Sequence, residues 1–181
     1  GSPVWTQDGA SLVFSANLNE DWEYDFRNDE IYKVAVASGE VSTLTERNGP
    51  DGSPTVSPDG EQILYTGFDD KVQTYQVSKM YVMNVDGSGK KEVPLNLDRS
   101  VSSPTWAADG KGFYFMYDDQ GNTKVAYATL NGKHSVVTGN VGGTSIGRPY
   151  GGGSYSVADN GSIVFTHTTP SHPAELAMVS Q

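Results

Sequence analysis

The residues best suited by type and order to do chemistry are Ser145, Asp159 and His167. Ser145 lies in Gly143-Thr144-Ser145-Ile146-Gly147, which matches the G-x-S-x-G pattern of a nucleophile elbow, and an acid and a histidine follow it in triad order. Such an elbow needs an apolar strand before the serine and a helix directly after it. Here a glycine pair precedes and residues 148–153, with one proline and three glycines, follow. We therefore predict a glycine-rich loop and no catalytic residue in this chain.

The candidates for a metal site are equally incomplete. Asp118-Asp119-Gln120-Gly121-Asn122 resembles the start of a calcium loop, but Thr129 or Leu130 stands where the closing glutamate is needed. The three histidines lack metal-ligand spacing; they are His134, His167 and His172. We predict neither a metal nor a cofactor.

A third candidate is the acidic and aromatic segment NLNEDWEYDFRNDE, residues 17–30. Its aromatic residues are Trp22, Tyr24 and Phe26, and six acids surround them. A solvated loop would carry the acids but would rarely expose three aromatic side chains together. We expect this segment to pack on another domain or to line an entrance, with a solvated loop as the alternative.

The elements that must position these residues belong to an internal repeat. Closely similar stretches begin with SPVWTQDG at Ser2, SPTVSPDG at Ser53, SPTWAADG at Ser103 and SYSVADNG at Ser154. Their turn glycines, Gly9, Gly60, Gly110 and Gly161, are 51, 50 and 51 residues apart. A fixed period of this length marks an array of supersecondary units that bury their apolar faces against one another.

Each repeat is predicted to form four short strands. In the second repeat these are residues 54–57, 62–66, 80–85 and 91–95, joined by turns at Asp59-Gly60 and Asp86-Gly87. Four antiparallel strands in about 50 residues are typical of a propeller blade, whereas a sandwich would not repeat Ser-Pro and Asp-Gly at one offset. The predicted fold is therefore all-β: a partial β-propeller with blades at about 2–45, 53–95, 103–138 and 154–181, the last without its outer strand.

The repeat offset also predicts which first-strand residues are buried. Trp5, Val56, Trp106 and Val157 occupy equivalent places. We expect all four side chains to lie between neighbouring blades.

Composition limits the possible partners. The 181 residues carry 22 acids against 12 bases, a net charge of −10, which repels phosphate backbones and anionic lipid. No apolar run approaches the roughly 20 residues of a membrane span. We thus expect no nucleic acid and no membrane as partner. The absence of cysteine excludes disulfides but suits cytosol and periplasm equally; we lean slightly towards the periplasm.

Longer motifs carry a family resemblance. They are SGEVSTLTERNGPDGSPTVSPDG, YTGFDDKVQTYQVSKMYVMNVDGSG, LDRSVSSPTW, YDDQGNTKVAYATLNGK, VGGTSIGRPYGGGSYSV and HPAEL. Together they resemble the β-propeller domain of prolyl oligopeptidase-family serine peptidases, and most closely the dipeptidyl aminopeptidase and acylaminoacyl peptidase branch. The short repeat alone is also typical of TolB-like propellers.

This resemblance implies a parent enzyme in which the propeller covers an α/β-hydrolase domain that carries the Ser-Asp-His triad. The propeller would gate the access of peptides or acyl-peptides, and its partners would be the peptide substrate and the hydrolase domain that follows it. Because the chain ends at HPAELAMVSQ, we expect it to be the non-catalytic part. The alternative is a TolB-like protein-binding propeller without an enzyme. A polysaccharide lyase is disfavoured, because it would need a cluster of histidines and acids.

Two further expectations follow. Arg148 and Tyr150, in RPYGGGSYS, would lie near the end of the propeller that faces the peptidase interior, where Arg148 holds a substrate carboxylate or a loop of the hydrolase domain. Pairing of Arg148 with an acid of a neighbouring blade is an equal alternative. Since the last blade is incomplete, we also expect an open arc of blades that self-associates, with a closed ring of four blades as the alternative.

Overall fold

The strands of the chain follow the predicted repeat. The computed structural model describes residues 2–143 and 152–180, which form fifteen strands. The first sheet contains β1 Val4–Trp5, β2 Ser11–Ala16, β3 Glu30–Ala35 and β4 Val41–Thr43. The second contains β5 Asp51–Val56, β6 Gln62–Gly67, β7 Lys79–Asn84 and β8 Lys91–Glu92. The third contains β9 Val101–Trp106, β10 Gly112–Asp119, β11 Asn122–Thr129 and β12 His134–Val141; the fourth contains β13 Tyr155–Val157, β14 Ile163–Thr169 and β15 His172–Val179.

All neighbouring strands are antiparallel and follow chain order within each sheet. A single residue pair, Val141 with His167, joins β12 to β14 and so connects the third sheet to the fourth. Residues 2–143 and 152–180 contain no helix, and thus none long and apolar enough to cross a membrane. The predicted fold class is confirmed: the chain is an all-β propeller fragment whose last sheet has three strands.

The recurring turn between the first and second strands depends on glycine. Gly9, Gly60, Gly110 and Gly161 have φ angles of +67°, +77°, +67° and +82°, a left-handed conformation that glycine adopts without a steric penalty. In the second sheet the Asp59 carboxylate accepts hydrogen bonds from the Ser57 hydroxyl and from the Glu61 amide. The repeated Asp-Gly pair therefore fixes the same hairpin in successive sheets.

The hydrophobic core lies between the sheets. One cluster includes Val13 and Ile31 of the first sheet together with Ile63 and Tyr65 of the second. A second cluster joins the second and third sheets, and a third joins the third and fourth. Each sheet thus buries its apolar side chains against the next one along the chain.

The first-strand residues are not buried equally. Trp106 is 7% exposed, and its indole nitrogen reaches the carbonyl oxygen of Thr55 in the preceding sheet. Val56 and Val157 are half-buried. For Trp5 the prediction was wrong, because its side chain is 58% exposed. Within the described residues no sheet precedes the first, so Trp5 lacks the neighbour that covers Trp106.

Candidate functional site

Two long loops emerge at the same end of the fold. Both connect the second strand of a sheet to the third: residues 17–29 in the first sheet and residues 68–78 in the second. The link between these sheets, residues 44–50, runs along the same end. In the third sheet, by contrast, only Gln120 and Gly121 form this connection, with φ angles of +50° and +80°. We refer to residues 17–29, 44–50 and 68–78 together as the loop face.

Aromatic side chains protrude from the loop face. Trp22 is 56% exposed, Tyr24 87% and Phe26 68%. The second loop adds Val72 and Tyr75, which are also exposed. The described residues therefore leave most of the surface of these side chains uncovered, and packing on another domain stays a prediction.

The two loops are held by the link between them. The side-chain oxygen of Asn28 accepts a hydrogen bond from the Gly49 amide at 3.1 Å, and the Asp70 amide donates to the Asn48 carbonyl oxygen at 2.7 Å. Gly49 has a φ of +144°, and a Cβ built there would lie 2.1 Å from the carbonyl oxygen of Phe68. Only glycine fits at this point, so the link fixes both loops on one surface.

A polar cluster extends from this surface, at the exposed side chain of Asp69, into the core. The Arg47 guanidinium donates from Nε to Asp51 Oδ1 and from Nη1 to Asp69 Oδ1, both at 2.9 Å. It also lies 3.9 Å from the ring centroid of Tyr81, which stacks on Tyr65 at 5.5 Å. We refer to these five residues as the Arg47 cluster. Because Arg47 lies in the link and Asp69 in the second loop, the cluster joins the loop face to the core.

The carboxyl group of Asp51 has an unusual environment. The residue is 1% exposed, and burial raises its pKa to about 6 although the charge of Arg47 opposes this shift. Its Oδ2 atom has no hydrogen-bond partner among the described residues, and the same holds for the hydroxyl of Tyr65. Burial also raises the pKa of Tyr65 to about 12. The cluster therefore contains a carboxyl group that changes charge near neutral pH.

Glu30 adds a second buried acid beside the cluster. The Thr45 hydroxyl donates to its carboxylate and accepts a hydrogen bond from the Ile31 amide at 2.8 Å. Burial raises the pKa of Glu30, and the negative charge of Asp51 adds to this shift although the bond from Thr45 opposes it. A cleft of about 400 Å³ opens beside Arg47 and Asp51 and is lined further by Lys90, Lys91 and Glu92.

Sequence reasoning missed the Arg47 cluster. A signal was nevertheless present in the repeat. Asp51 is the first residue of the second sheet, and the equivalent first residue of the third sheet is the apolar Val101. Likewise, the position of Tyr65 in β6 is equivalent to that of Phe115 in β10. Polar groups at positions that are apolar in the next repeat mark a local departure from simple packing.

The residues of the triad pattern are separated where they are described. Ser145 lies outside the described residues, as do Arg148 and Tyr150. Asp159 lies in the turn before β14, whereas His167 lies four residues beyond the start of that strand, about 13 Å along it. The Nδ1 atom of His167 lies 3.8 Å from Glu175 instead. Among the described residues, the acid of the pattern, Asp159, is therefore not paired with His167.

The candidate metal ligands serve other contacts. Asp118 accepts a hydrogen bond from the Thr123 hydroxyl, and Asp119 pairs with Lys124 at 2.6 Å. Within residues 2–143 and 152–180, no three histidine or acidic side chains are grouped so that they could hold a metal ion.

Comparison with known proteins gives a family. The model of the family described as PD40, TolB beta propeller domain, matches residues 1–181. The Tol-Pal system protein TolB of Francisella tularensis is 26% identical over 136 residues, which are 74% of this chain and 28% of that protein. Dipeptidyl-peptidase 5 of Porphyromonas gingivalis is 26% identical over 137 residues, which are 74% of this chain and 20% of that protein. The chain thus spans about a quarter of the length of these relatives.

Solved structures show the same fold. TolB from Acinetobacter baumannii matches with a TM-score of 0.70 and 19% identity, over 99% of this chain and 40% of that chain. An oligogalacturonate lyase in complex with manganese matches with a TM-score of 0.74 and 17% identity, over 99% of this chain and 50% of that chain. The acylaminoacyl peptidase of Pyrococcus horikoshii matches with a TM-score of 0.63 and 21% identity, over 98% of this chain and 25% of that chain. The resemblance to peptidase propellers is confirmed, and TolB propellers share it.

Proposed function

Because the chain belongs to the PD40 family of TolB β-propeller domains, we propose that it is the non-catalytic propeller part of a serine peptidase. In this proposal the parent is of the dipeptidyl aminopeptidase or acylaminoacyl peptidase type. The propeller limits the access of peptides to a hydrolase domain that carries the catalytic triad. A relative named as a dipeptidyl-peptidase supports this assignment.

The observation that carries the proposal is the loop face. Its exposed aromatic side chains lie on loops that the link at Gly49 and the Arg47 cluster hold in place. Exposed aromatic groups on an ordered surface are typical of a contact with another molecule or domain. We therefore place the hydrolase domain, or the path of the peptide, against Trp22, Tyr24 and Phe26. Arg148 and Tyr150, which lie outside the described residues, remain part of this proposal as residues near the end of the propeller that faces the peptidase interior.

A TolB-like binding propeller is the second candidate. It is favoured by the TolB relatives, which match this chain at the same identity as the peptidase relative. In that case the loop face would contact a partner protein, and no hydrolase domain would be attached. The match to the lyase, at 17% identity, concerns the fold alone.

The full-length parent protein tests the proposal. We expect a fluorophosphonate probe to label one serine outside residues 1–181, and we expect cleavage of short peptide p-nitroanilides. Substitution of Trp22, Tyr24 and Phe26 by alanine should change kcat/KM for longer peptides more than for dipeptide substrates, because the entrance would admit them differently.

The matched control is Val36→Ala, since Val36 is exposed but lies beside the turn at the opposite end of the first sheet. This variant should leave the selectivity for peptide length unchanged. Absence of any labelled serine and of any peptidase activity would overturn the peptidase assignment and favour the binding propeller. Equal effects of the loop variant and the control would show that the loop face does not gate.

A further inference from the structure

We propose that the loop face docks a cationic polypeptide segment that carries arginine. The inference rests on the loop face itself. The segment belongs to a separate polypeptide chain, whichever of the two proposed functions holds.

The two loops carry a large share of the negative charge of the chain. Residues 17–29 and 68–78 contain seven acids and two bases, a net charge of −5 out of −10 for the whole chain. The acids are Glu20, Asp21, Glu23, Asp25, Asp29, Asp69 and Asp70. Half of the net negative charge thus lies on 24 of the 181 residues. An anionic partner would be repelled, and a purely apolar partner would bury carboxylates without compensation.

Aromatic and acidic side chains are interleaved along the first loop. All eight residues from Glu20 to Arg27 are exposed, so rings and carboxylates alternate along one accessible stretch. A guanidinium group can stack on a ring and at the same time donate hydrogen bonds to a neighbouring carboxylate. An ammonium group is a compact, strongly hydrated charge and does this less well. This surface therefore suits arginine better than lysine.

The chain itself shows this chemistry at the same place. The guanidinium of Arg27 lies 5.3 Å from the ring centroid of Phe26, and that of Arg47 lies 3.9 Å from the ring of Tyr81. The first contact is on the loop face and the second is directly beneath it. Trp22 and Tyr24 remain exposed. An arginine of a partner could lie on these rings as Arg27 lies on Phe26.

The first loop is held in a defined conformation by its own hydrogen bonds. The amides of Tyr24 and Asp25 donate to the carbonyl oxygen of Asp21 at 2.9 and 3.0 Å, and the side chain of Asn17 donates to the carbonyl oxygen of Asp25. Order of this kind before binding lowers the conformational entropy lost on association.

The second loop is ordered in a similar way. The Asp70 carboxylate accepts from the side chain of Gln76 and from the Val72 amide, both at 2.7 Å. These bonds lower the pKa of Asp70, and the positive charge of Arg27 in the first loop adds to the effect. Since Asn28 and Asp70 both bond to the link, at Gly49 and Asn48, the two loops lie side by side and together present one acidic surface.

The test measures binding of fluorescent peptides to the 181-residue chain at physiological salt. The probes are acetylated and amidated four-fold repeats of Arg-Gly, Lys-Gly and Glu-Gly. We expect saturable binding of the arginine peptide, weaker binding of the lysine peptide and no binding of the glutamate peptide. A lysine peptide that binds as tightly as the arginine peptide would overturn the assignment of arginine.

Two sets of variants separate docking from the attraction of any cation to an acidic protein. Alanine at Trp22, Tyr24 and Phe26 leaves the charge unchanged and should weaken binding of the arginine peptide about tenfold. Neutral amides at Glu20, Asp21, Glu23 and Asp25 should weaken it at least as much.

The matched control places neutral amides at Asp8, Glu40, Asp59 and Asp109, four acids in turns at the opposite end of the sheets. It changes the net charge by the same amount and should retain most of the binding. Circular dichroism of each variant checks that the fold is intact. An unchanged affinity after removal of the three rings, or equal losses in the two charge variants, would overturn the proposal. Peptidase activity of the parent plays no part in this readout.

Discussion

The indole nitrogen of Trp106 donates a hydrogen bond to the carbonyl oxygen of Thr55 at 3.1 Å, across the boundary between the third sheet and the second. The same side chain belongs to the core cluster that joins these two sheets. One residue thus contributes both a polar contact and apolar packing to the contact between successive repeats.

We predict that Trp106→Ala lowers the free energy of unfolding by about 3 to 5 kcal/mol, because it removes a large buried side chain and leaves a cavity. Denaturant unfolding followed by circular dichroism measures this change. Trp5→Ala is the control, since Trp5 is 58% exposed, and it should cost less than about 1 kcal/mol. A loss below about 1 kcal/mol for Trp106→Ala would contradict the prediction.

The buried carboxyl of Asp51 should make stability depend on pH. Its pKa in the folded chain is about 6, above its usual value of 3.8, so the folded state holds this proton more tightly than the unfolded state. The stability that this group contributes is therefore present below pH 3.8 and is lost as the pH rises through 6. The loss amounts to at most about 3 kcal/mol.

Unfolding of the native chain and of Asp51→Asn between pH 4 and 7.5 measures this effect. The difference between the two should change across this range, because asparagine does not ionise. Glu30, whose pKa is also raised by burial, contributes in the same direction and is tested by Glu30→Gln. A difference between native chain and Asp51→Asn that stays constant with pH would rule out Asp51 as the titrating group.

Gly49 should tolerate no side chain. Alanine there would combine a φ of +144° with a Cβ placed 2.1 Å from the carbonyl oxygen of Phe68, and we expect a loss of more than about 2 kcal/mol. At Gly9 the φ is +67° and nothing lies within 4 Å of the added carbon. Gly9→Ala should therefore cost only about 1 kcal/mol. If thermal or denaturant unfolding shows the same loss of stability for Gly49→Ala and Gly9→Ala, the close contact with Phe68 contributes nothing and the positive φ alone explains the cost.

Tyr65→Phe should be neutral or stabilise the chain by up to about 1 kcal/mol. The hydroxyl of Tyr65 is buried without a hydrogen-bond partner among the described residues, and such a group costs free energy that its removal recovers. Phenylalanine already occupies the equivalent place in the third sheet, at Phe115. Destabilisation by more than about 1 kcal/mol in denaturant unfolding would contradict this prediction.

Apolar side chains on the two outermost sheets should cause self-association. Trp5 in the first sheet and Leu176 and Met178 in the fourth are 58%, 76% and 67% exposed. Burial between two copies would remove this apolar area from water. Light scattering behind a sizing column should show a mass above the 19.4 kDa of one chain, and Leu176→Glu with Met178→Glu should reduce it. A monomer at every concentration would contradict the prediction.

The sequence predicted strands and turns well where the repeat carries its own signals. The Asp-Gly pairs located the hairpins, because glycine alone adopts the required φ without cost. The start of β15 carries no such signal, since the strand begins at His172 and includes Pro173. Among the described strands β15 pairs only with β14, and such an edge strand accommodates a proline because one side of its backbone is unpaired.

The candidate site was predicted only in part. The run of aromatic residues and acids drew attention to the first loop, because such composition is rare in solvated loops. The Arg47 cluster could not be found in this way, since Arg47 and Asp69 are 22 residues apart in the sequence and meet only in the folded chain. The exposure of Trp5 likewise depends on which sheets are neighbours, which equivalent positions in a repeat do not reveal.

Because each core cluster lies between two neighbouring sheets, the sheets should fold in a defined order. The first sheet buries Ile31 and Val13 only against residues of the second, such as Ile63 and Met83. A ribosome-bound chain that ends before β7 would lack Tyr81 and Met83, two of the seven buried residues of this core, and would remain open to proteases and chaperones. Each later sheet then condenses on a surface that its predecessor already presents, so the chain should acquire its structure from the amino terminus as synthesis proceeds.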